Sequence, residues 1–397
     1  MEEKMTIDER FKYLRLMKDR YVVADRCTKS RLLDEMVSVT GLERKHLIHR
    51  MHQTGPYRHS GLRQRQRTYD AEVEAIVFLI ADALGWIGPE RLLPVLRPTA
   101  EHLARFEECH PSEVVLAKLD SMCLSTLRRM RTRLRPAGAG WPQRRRGRPP
   151  EHAIQAQVPI AVIPWQQAEP GHFEADLVHH GPEGGPGHVC TLQCVDVLTG
   201  WSECFGLYGH DFEVLWHALQ AFRARCPIPV REMHSDNGSE FLNAALQSVF
   251  GDLFHGARFT RGRPGCKNDN RFVEQKNSSH VRAYVGDLPL STRAQAQQLN
   301  ALYETLWLYS NFFQPVLRQV ARTAVLQANG ICRIHRRQDE AQTPLQRLLR
   351  ASPPLSRGRI QELQALYEQT NPRRLKQQIQ QQLVDIRQSV LVLCQVS

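Results

Sequence analysis

Hydrophobic positions recur at helical spacing near the start of the chain and predict three helices within residues 8–52. The second helix begins at a capping residue, Ser30, and a Thr40-Gly41 turn leads into the third. A short helix, a turn with glycine and a basic helix are typical of a helix-turn-helix, whose last helix enters the major groove of DNA. An ordinary three-helix bundle is the alternative. The basic residues of the third helix, which we expect to contact DNA, are Arg44, Lys45, His49 and Arg50.

A second helical pattern covers residues 68–136 and again ends in a helix, a short turn and a basic helix. The predicted DNA contacts on this last helix are Arg128, Arg129 and Arg131. The sequence therefore predicts two helix-turn-helix domains, at residues 1–66 and 67–140.

A segment rich in Pro and Gly follows at residues 141–167 and predicts a basic linker. Its Arg146-Gly147-Arg148-Pro149 run resembles an AT-hook, in which two arginines enter a narrow minor groove. A solvated basic tether explains the same residues equally well.

From residue 168 the pattern changes to apolar, β-branched runs that predict three successive strands. A helix, a strand, a helix, a short strand and a further helix follow them. This is the order of the ribonuclease H fold, in which the first strand lies beside the fourth. We predict an α/β ribonuclease H-like core at residues 168–290, with a mixed five-stranded sheet, between all-α domains and a mainly helical region at 291–397. The Gln-rich end of that region is either a packing or oligomerising helix or a disordered tail.

The chain has a formal net charge of +12, which suggests a polyanionic partner such as nucleic acid. Its ten cysteines form no CxxC pair, so we expect reduced thiols in a cytoplasmic protein. The first residues are charged, which is not typical of a signal peptide. No apolar run approaches the roughly 20 residues that cross a bilayer, so we expect no membrane partner.

Three carboxylates fall where this fold would bring them together. Asp176 lies on the first predicted strand, Asp236 at the carboxyl end of the fourth, and Glu274 on the later helix. Three acids in one crevice repel one another unless divalent cations lie among them. The sequence therefore predicts a metal site formed by this triad. Glu174 shares a strand face with Asp176 and is the alternative ligand.

Other polar residues near the triad have predicted roles of their own. Asn277 lies one helical turn beyond Glu274 and is expected to contact DNA together with Lys276 and Lys267. Asp196 is expected to be structural, because it lies beside a predicted turn.

The segments FEADLV, VDVLTGWSE, HSDNGSEF and KNDNRFVEQKN resemble the integrase core of bacterial insertion-sequence transposases. These are relatives of retroviral integrases and carry an Asp-Asp-Glu (DDE) triad, which falls on Asp176, Asp236 and Glu274 here. The resemblance implies two Mg²⁺ or Mn²⁺ ions held by the triad. It also implies that water first frees a 3′-OH at the transposon end, and that this 3′-OH then attacks target DNA. The cysteine-bearing zinc unit of retroviral integrases is missing from this sequence.

The expected function is that of a DDE transposase, which binds the ends of its mobile element and catalyses strand cleavage and strand transfer. Its partner would be double-stranded DNA, at transposon ends and target, and it would act as a homo-oligomer on DNA in a bacterial cytoplasm. One alternative is a ribonuclease H-fold nuclease without joining activity. Another is a domesticated, sequence-specific DNA-binding regulator with an inactive core.

Overall fold

The computed structural model describes residues 6–52, 68–139, 141, 169–181, 188–209, 211–235, 250–261, 271–326, 332–351 and 355–396. The chain divides into two compact units, Met1–Thr68 and Tyr69–Ser397. This division falls beside the predicted boundary at residue 67. The predicted boundaries at 140, 167 and 290 fall inside the second unit.

Within its described residues, the first unit contains three helices, α1 Ile7–Val23, α2 Arg26–Thr40 and α3 Arg44–His52. Helix α2 begins four residues before the predicted cap, because the Asp25 carboxylate accepts the amides of Cys27 and Thr28, both at 3.2 Å. It ends at the predicted turn, where Gly41 adopts a φ of 67° that suits glycine. The three helices close over a small core that includes Leu14, Met36, Leu47 and Met51.

The second unit begins with a helical segment. Its elements are α4 Ala71–Ala83, α5 Pro89–Leu92, a 3₁₀ turn at Leu93–Val95, α6 Leu96–Ala104, α7 Glu113–Asp120 and α8 Leu124–Leu134. This segment shares one hydrophobic core with the sheet that follows it. The Tyr309 hydroxyl donates to the Ala83 carbonyl at 3.0 Å, and the Gln314 amide donates to the Leu84 carbonyl at 3.3 Å. Residues 69–139 therefore pack as part of the larger unit and not as a separate body.

The sheet has five strands, β1 His172–His179, β2 Val189–Asp196, β3 Ser202–Tyr208, β4 Glu232–Ser235 and β5 Arg258–Arg261. Their order is β3-β2-β1-β4-β5. The β1–β2 and β2–β3 pairs are antiparallel, whereas the β1–β4 and β4–β5 pairs are parallel. The first strand lies beside the fourth, as predicted, and the mixed five-stranded sheet is that of a ribonuclease H-like core.

Helices cover the sheet and carry the chain past it. Those in the described ranges are α9 Phe212–Arg225, α10 Arg271–Lys276, a π-helical turn at Asn277–Val281, α11 Arg282–Val285, α12 Arg293–Leu308 and a second π-helical turn at Tyr309–Phe313. The buried Glu203 carboxylate on β3 joins two of them. It accepts from the Arg225 guanidinium of α9 at 2.6 Å and from the Trp307 indole of α12 at 2.7 Å.

The C-terminal region combines a hairpin with three helices. The hairpin pairs β6 Gln319–Leu326 with β7 Cys332–Gln338, and the helices are α13 Pro344–Arg350, α14 Arg357–Gln369 and α15 Pro372–Val396. Helix α15 is the Gln-rich tail. It is helical and packed, because its buried apolar residues recur every three or four positions at Leu375, Ile379, Leu383, Ile386 and Val390.

Polar contacts show what helix α15 packs against. The Lys376 ammonium lies 2.5 Å from the Asp82 carboxylate at the end of α4. Further along, the Gln382 amide donates to the Ala301 carbonyl of α12 at 3.1 Å. The tail therefore connects the helical segment to the core within one chain.

Replacing Ile379 by Ala tests whether this packing stabilises the second unit. Ile379 is 0% exposed, so the cavity should lower the free energy of unfolding by about 2–5 kcal/mol in urea titrations. Val384→Ala is the matched control, since Val384 is 42% exposed and should change stability by less than about 0.5 kcal/mol. A change of oligomer mass in Ile379→Ala without loss of stability would contradict the intramolecular packing.

Candidate functional site

Two acidic side chains lie on one face of β1, separated by a single residue. Glu174 is 0% exposed, whereas Asp176 is half-buried toward the carboxyl half of the strand. Residues two apart on a strand share a face, so both side chains point to the same layer of the fold. That layer contains the continuous helical run 271–285, made of α10, the first π-helical turn and α11.

The Glu174 carboxylate binds the start of that helical run. It accepts the backbone N–H groups of Phe272 at 2.7 Å and Val273 at 3.0 Å. First-turn amides have no partner within their own helix, and a carboxylate at the positive end of a helix is favourable. Leaving either amide unpaired would cost about 1–3 kcal/mol. The alternative assignment of Glu174 as a metal ligand is therefore not supported, because its carboxylate is buried and directed at the helix.

The Asp176 carboxylate binds the same helical run one turn later. The Asn277 side-chain amide donates to its Oδ2, and the Leu177 backbone N–H donates to its Oδ1 at 2.9 Å. Asn277 was predicted to contact DNA, but here it fixes the orientation of a predicted metal ligand. At the far end, the Arg282 guanidinium donates to the His179 carbonyl at 2.8 Å.

Glu274 lies between the first two of these contacts. Three residues of helix rotate by about 300°, so Glu274 and Asn277 lie on neighbouring parts of one face. The Glu274 side chain is exposed. The structure thus brings the turn that carries Glu274 against the strand that carries Asp176.

Lys276 faces the opposite side of the helix. Two residues rotate by about 200° from Glu274, which directs Lys276 toward the interior. Burial, together with repulsion from Arg318 and Arg91, lowers the pKa of Lys276 to about 8. Lys276 is partly buried, and its contact with DNA stays a prediction.

The third predicted acid, Asp236, lies outside the described residues, as does Lys267. Ser235, the last described residue of β4, pairs in parallel register with Ala175. In the sequence, Ala175 directly precedes Asp176, and Ser235 directly precedes Asp236. Within the described ranges, no group of three His, Cys, Asp or Glu side chains could hold a metal ion.

Asp196 has the structural role that its place beside a turn predicts. Its buried carboxylate accepts the Gly171 N–H at 2.8 Å and both the N–H and the hydroxyl of Thr199 at 2.7 Å. Burial raises the pKa of this carboxyl group, and the hydrogen bonds oppose that rise. Asp196 therefore closes the turn between β2 and β3.

The predicted DNA contacts of α3 divide into two groups. Arg44 pairs with Asp34 and donates to Ser30 at 2.7 Å, and Arg50 lies over the Phe11 ring at 4.7 Å. Lys45 and His49 are exposed on the helix surface. Of the four predicted contacts on α3, these last two are the ones best placed to meet a partner.

All three predicted contacts on α8 bind groups of their own chain, two of them outside their own helix. The Arg128 guanidinium lies 2.5 Å from the Glu90 carboxylate, and Arg131 donates to the Trp86 carbonyl at 2.5 Å. Arg129 is exposed and donates to the Ser125 carbonyl within its own helix. Arg146 and Arg148 of the predicted linker lie outside the described residues.

Sequence reasoning missed Arg318, which lies just before β6. Its guanidinium lies over the Phe272 ring at 4.9 Å and donates to the Asp196 carbonyl at 3.3 Å. Burial lowers the pKa of Arg318 to about 10. No local pattern marks it, since its partners are distant in sequence.

The fold and site define a protein with a ribonuclease H-like core. No protein-family model matches the sequence. The chain is 30% identical over 330 residues to the uncharacterized protein y4rM of Sinorhizobium fredii. The aligned region covers 82% of this chain and 92% of y4rM. The chain therefore belongs to the same family as y4rM.

The solved catalytic core domain of BIV integrase is similar over 46% of this chain and 95% of its own, with 16% identity and a TM-score of 0.29. The assignment of the core as ribonuclease H-like rests on the order and direction of its strands. Among the described helices, none is both long and apolar enough to cross a membrane.

The position of Lys276 predicts a pH-dependent gain when its charge is removed. Its pKa is below the ordinary value of 10.5, so the unfolded chain binds more protons between about pH 8 and 10.5. The free-energy cost of burying the charged ammonium is therefore complete below about pH 8, and it disappears as the pH rises toward 10.5. Lys276→Met should therefore raise the free energy of unfolding at pH 7 by about 1–2 kcal/mol, with a smaller gain at pH 10.

Lys376→Met is the matched control for this measurement. Lys376 also lies on a packed helix of the second unit, but it pairs with Asp82, so its loss should destabilise the protein. Urea unfolding of both variants at the two pH values checks the assignment. A loss of stability in Lys276→Met at pH 7 would contradict the assignment of Lys276 as a destabilising buried charge.

Proposed function

We propose that the chain is a DDE transposase, which binds the ends of its mobile element as a homo-oligomer and catalyses metal-dependent DNA strand cleavage and strand transfer. The observation that carries the proposal is the contact between Asn277 and Asp176. Within a ribonuclease H-like sheet, this contact brings the turn of Glu274 against the strand of Asp176.

The described acids suit divalent cations. Asp176 is half-buried and Glu274 is exposed, so both carboxylates can be reached from solvent. Carboxylate oxygens are the donors that Mg²⁺ and Mn²⁺ prefer. Asp176, Glu274 and, in the proposal, Asp236 would hold these ions. Bound there, they would supply Lewis-acid activation of the attacking oxygen and stabilisation of the leaving 3′ oxygen.

The chain's own side chains keep this arrangement in place. Asn277 and the Leu177 N–H each bind one oxygen of Asp176 and so hold its carboxylate in one orientation. Glu174 of β1 binds the start of the helical run, and Arg282 near its other end donates to the His179 carbonyl of β1. These two contacts limit how far Glu274 can move from β1.

The proposed DNA partner is supported by charge and exposure. The net charge of +12 favours a polyanion, and α3 exposes Lys45 and His49. On α8, Arg128 and Arg129 are both exposed, but Arg128 already pairs with the Glu90 carboxylate, whereas Arg129 donates to a carbonyl of its own helix, which leaves Arg129 as the candidate. Arg146, Arg148 and Lys267 remain part of the proposal on their sequence alone.

Triad variants test the proposed chemistry. Asp176→Asn, Asp236→Asn and Glu274→Gln should each lower cleavage and strand transfer by at least about 1,000-fold, because metal-assisted charge stabilisation is worth several kcal/mol. Affinity for DNA from the element's ends should stay near that of the wild type. Gel assays of cleaved and joined products with Mg²⁺ or Mn²⁺ provide the measurement.

Glu213→Gln is the control for the triad, since Glu213 is an exposed acid on α9 and should leave activity unchanged. Cleavage without joined products in the wild type would favour a nuclease. Specific binding without cleavage would favour a regulator. Full activity in any triad variant would remove that residue from the site.

The exposed residues of α3 give a second test. Replacing Lys45 and His49 together by Ala should weaken binding to end DNA and reduce the slope of log affinity against log salt by about 1, through the loss of one phosphate contact. The control variant replaces Lys12 and Arg15, exposed residues of α1 in the same unit, and should change the slope less. Equal effects of both variants would argue against α3 as the reading helix.

A further inference from the structure

The strongest unexplained feature near the site is a buried acid that the proposed chemistry does not use. Glu174 is 0% exposed, and its carboxylate accepts the N–H groups of both Phe272 and Val273. Val273 is the residue directly before Glu274. The carboxylate of Glu174 thus binds the backbone immediately before Glu274, a proposed metal ligand. Glu174 also lies two residues from Asp176, which is a second proposed metal ligand.

A cation from the C-terminal region binds the same turn of helix. The Arg318 guanidinium lies over the Phe272 ring at 4.9 Å and is near enough to Glu174 to interact electrostatically with it. Arg318 is itself fixed, because its backbone N–H donates to Asp339 at 2.7 Å and Asp339 pairs with Arg347 at 2.6 Å. The first turn of α10 is therefore held by its backbone on one side and by its aromatic ring on the other.

We propose that Glu174 is a positioning residue for the metal site: by binding the Phe272 and Val273 amides, it sets the place of the Glu274 carboxylate relative to Asp176. This inference rests on the proposed function, in which Glu274 and Asp176 hold divalent cations. Glu174 acts through the helix and does not itself touch the metal.

An ordinary stabilising role for a buried carboxylate is the competing explanation. Glu232 on β4 provides the comparison within the same sheet, since it is also buried and binds His172 at 2.8 Å and Thr260 at 2.9 Å. It also accepts from Arg258 at 3.3 Å, and none of these three partners lies on the helical run of Glu274. A purely structural role predicts the same consequences for both acids, whereas positioning predicts a change in metal affinity for Glu174 alone.

The experiment measures Mn²⁺ binding to the full chain by electron paramagnetic resonance of free Mn²⁺. Glu174→Leu removes the oxygen that accepts both amides, at similar side-chain volume, and should weaken Mn²⁺ binding about 10–100-fold, the usual effect of losing a partner that orients a ligand. Glu174→Gln keeps one oxygen that accepts N–H groups and should remain within about threefold of the wild type. Glu232→Leu should lower the melting temperature without changing Mn²⁺ affinity.

Amide hydrogen exchange provides a readout that does not depend on metal. In Glu174→Leu, exchange in the segment 272–281 should accelerate at least about tenfold, and Glu232→Leu should leave that segment unchanged. Unchanged exchange in Glu174→Leu would overturn the proposal whatever the protein's activity. Faster exchange with unaltered Mn²⁺ affinity would also overturn it and leave Glu174 as a stabilising residue only.

The same measurements separate this inference from the proposed function. If Asp176→Asn and Glu274→Gln do not weaken Mn²⁺ binding in the otherwise wild-type chain, the proposed metal site fails, and the positioning role fails with it. If those two variants lose binding while Glu174→Leu does not, the metal site stands and only the positioning role is wrong.

Discussion

The contact between strand β1 and the helical run 271–285 is the constraint on which the candidate site depends. Three hydrogen-bonded contacts make it: Glu174 with the first amides of the helix, Asp176 with Asn277, and the His179 carbonyl with Arg282. Five residues of strand span about 17 Å, and ten residues of helix span about 15 Å. The two elements therefore run side by side at matching lengths, and each contact reinforces the others.

The π-helical turn at Asn277–Val281 keeps both Asn277 and Arg282 directed toward β1. In a regular α-helix, the five residues from Asn277 to Arg282 would rotate by about 500°, which leaves Arg282 well off the face that Asn277 presents. The wider π-helical turn, with its i→i+5 hydrogen bonds, reduces that offset, so both residues can reach β1. A local irregularity of the helix thus serves the same contact that holds Asp176 and the turn of Glu274 together.

Local patterns predicted the strand order of the sheet and the structural role of Asp196, because strand periodicity and turn formation depend on residues that are close in sequence. They did not predict what Glu174 binds, since Phe272 lies 98 residues away. Nor did they predict that residues 69–139 pack on the same core as the sheet. One of the contacts that join the two, from Tyr309 to Ala83, spans 226 residues of sequence. The spacing of Lys276 and Asn277 from Glu274 was visible in the sequence, but which helix face meets β1 depends on tertiary packing. Asn277 was therefore assigned to DNA when it binds Asp176.

A crystal structure of the full chain soaked with Mn²⁺ is the sharpest test of the proposed metal site, because anomalous scattering locates the ion without reference to activity. We expect an anomalous peak bounded by the carboxylates of Asp176, Asp236 and Glu274, with Asn277 still bound to Asp176 or released to neighbouring solvent. Glu174 should remain on the amides of Phe272 and Val273. A peak at Glu174, or strong peaks only at sites away from β1, would rule out this metal site.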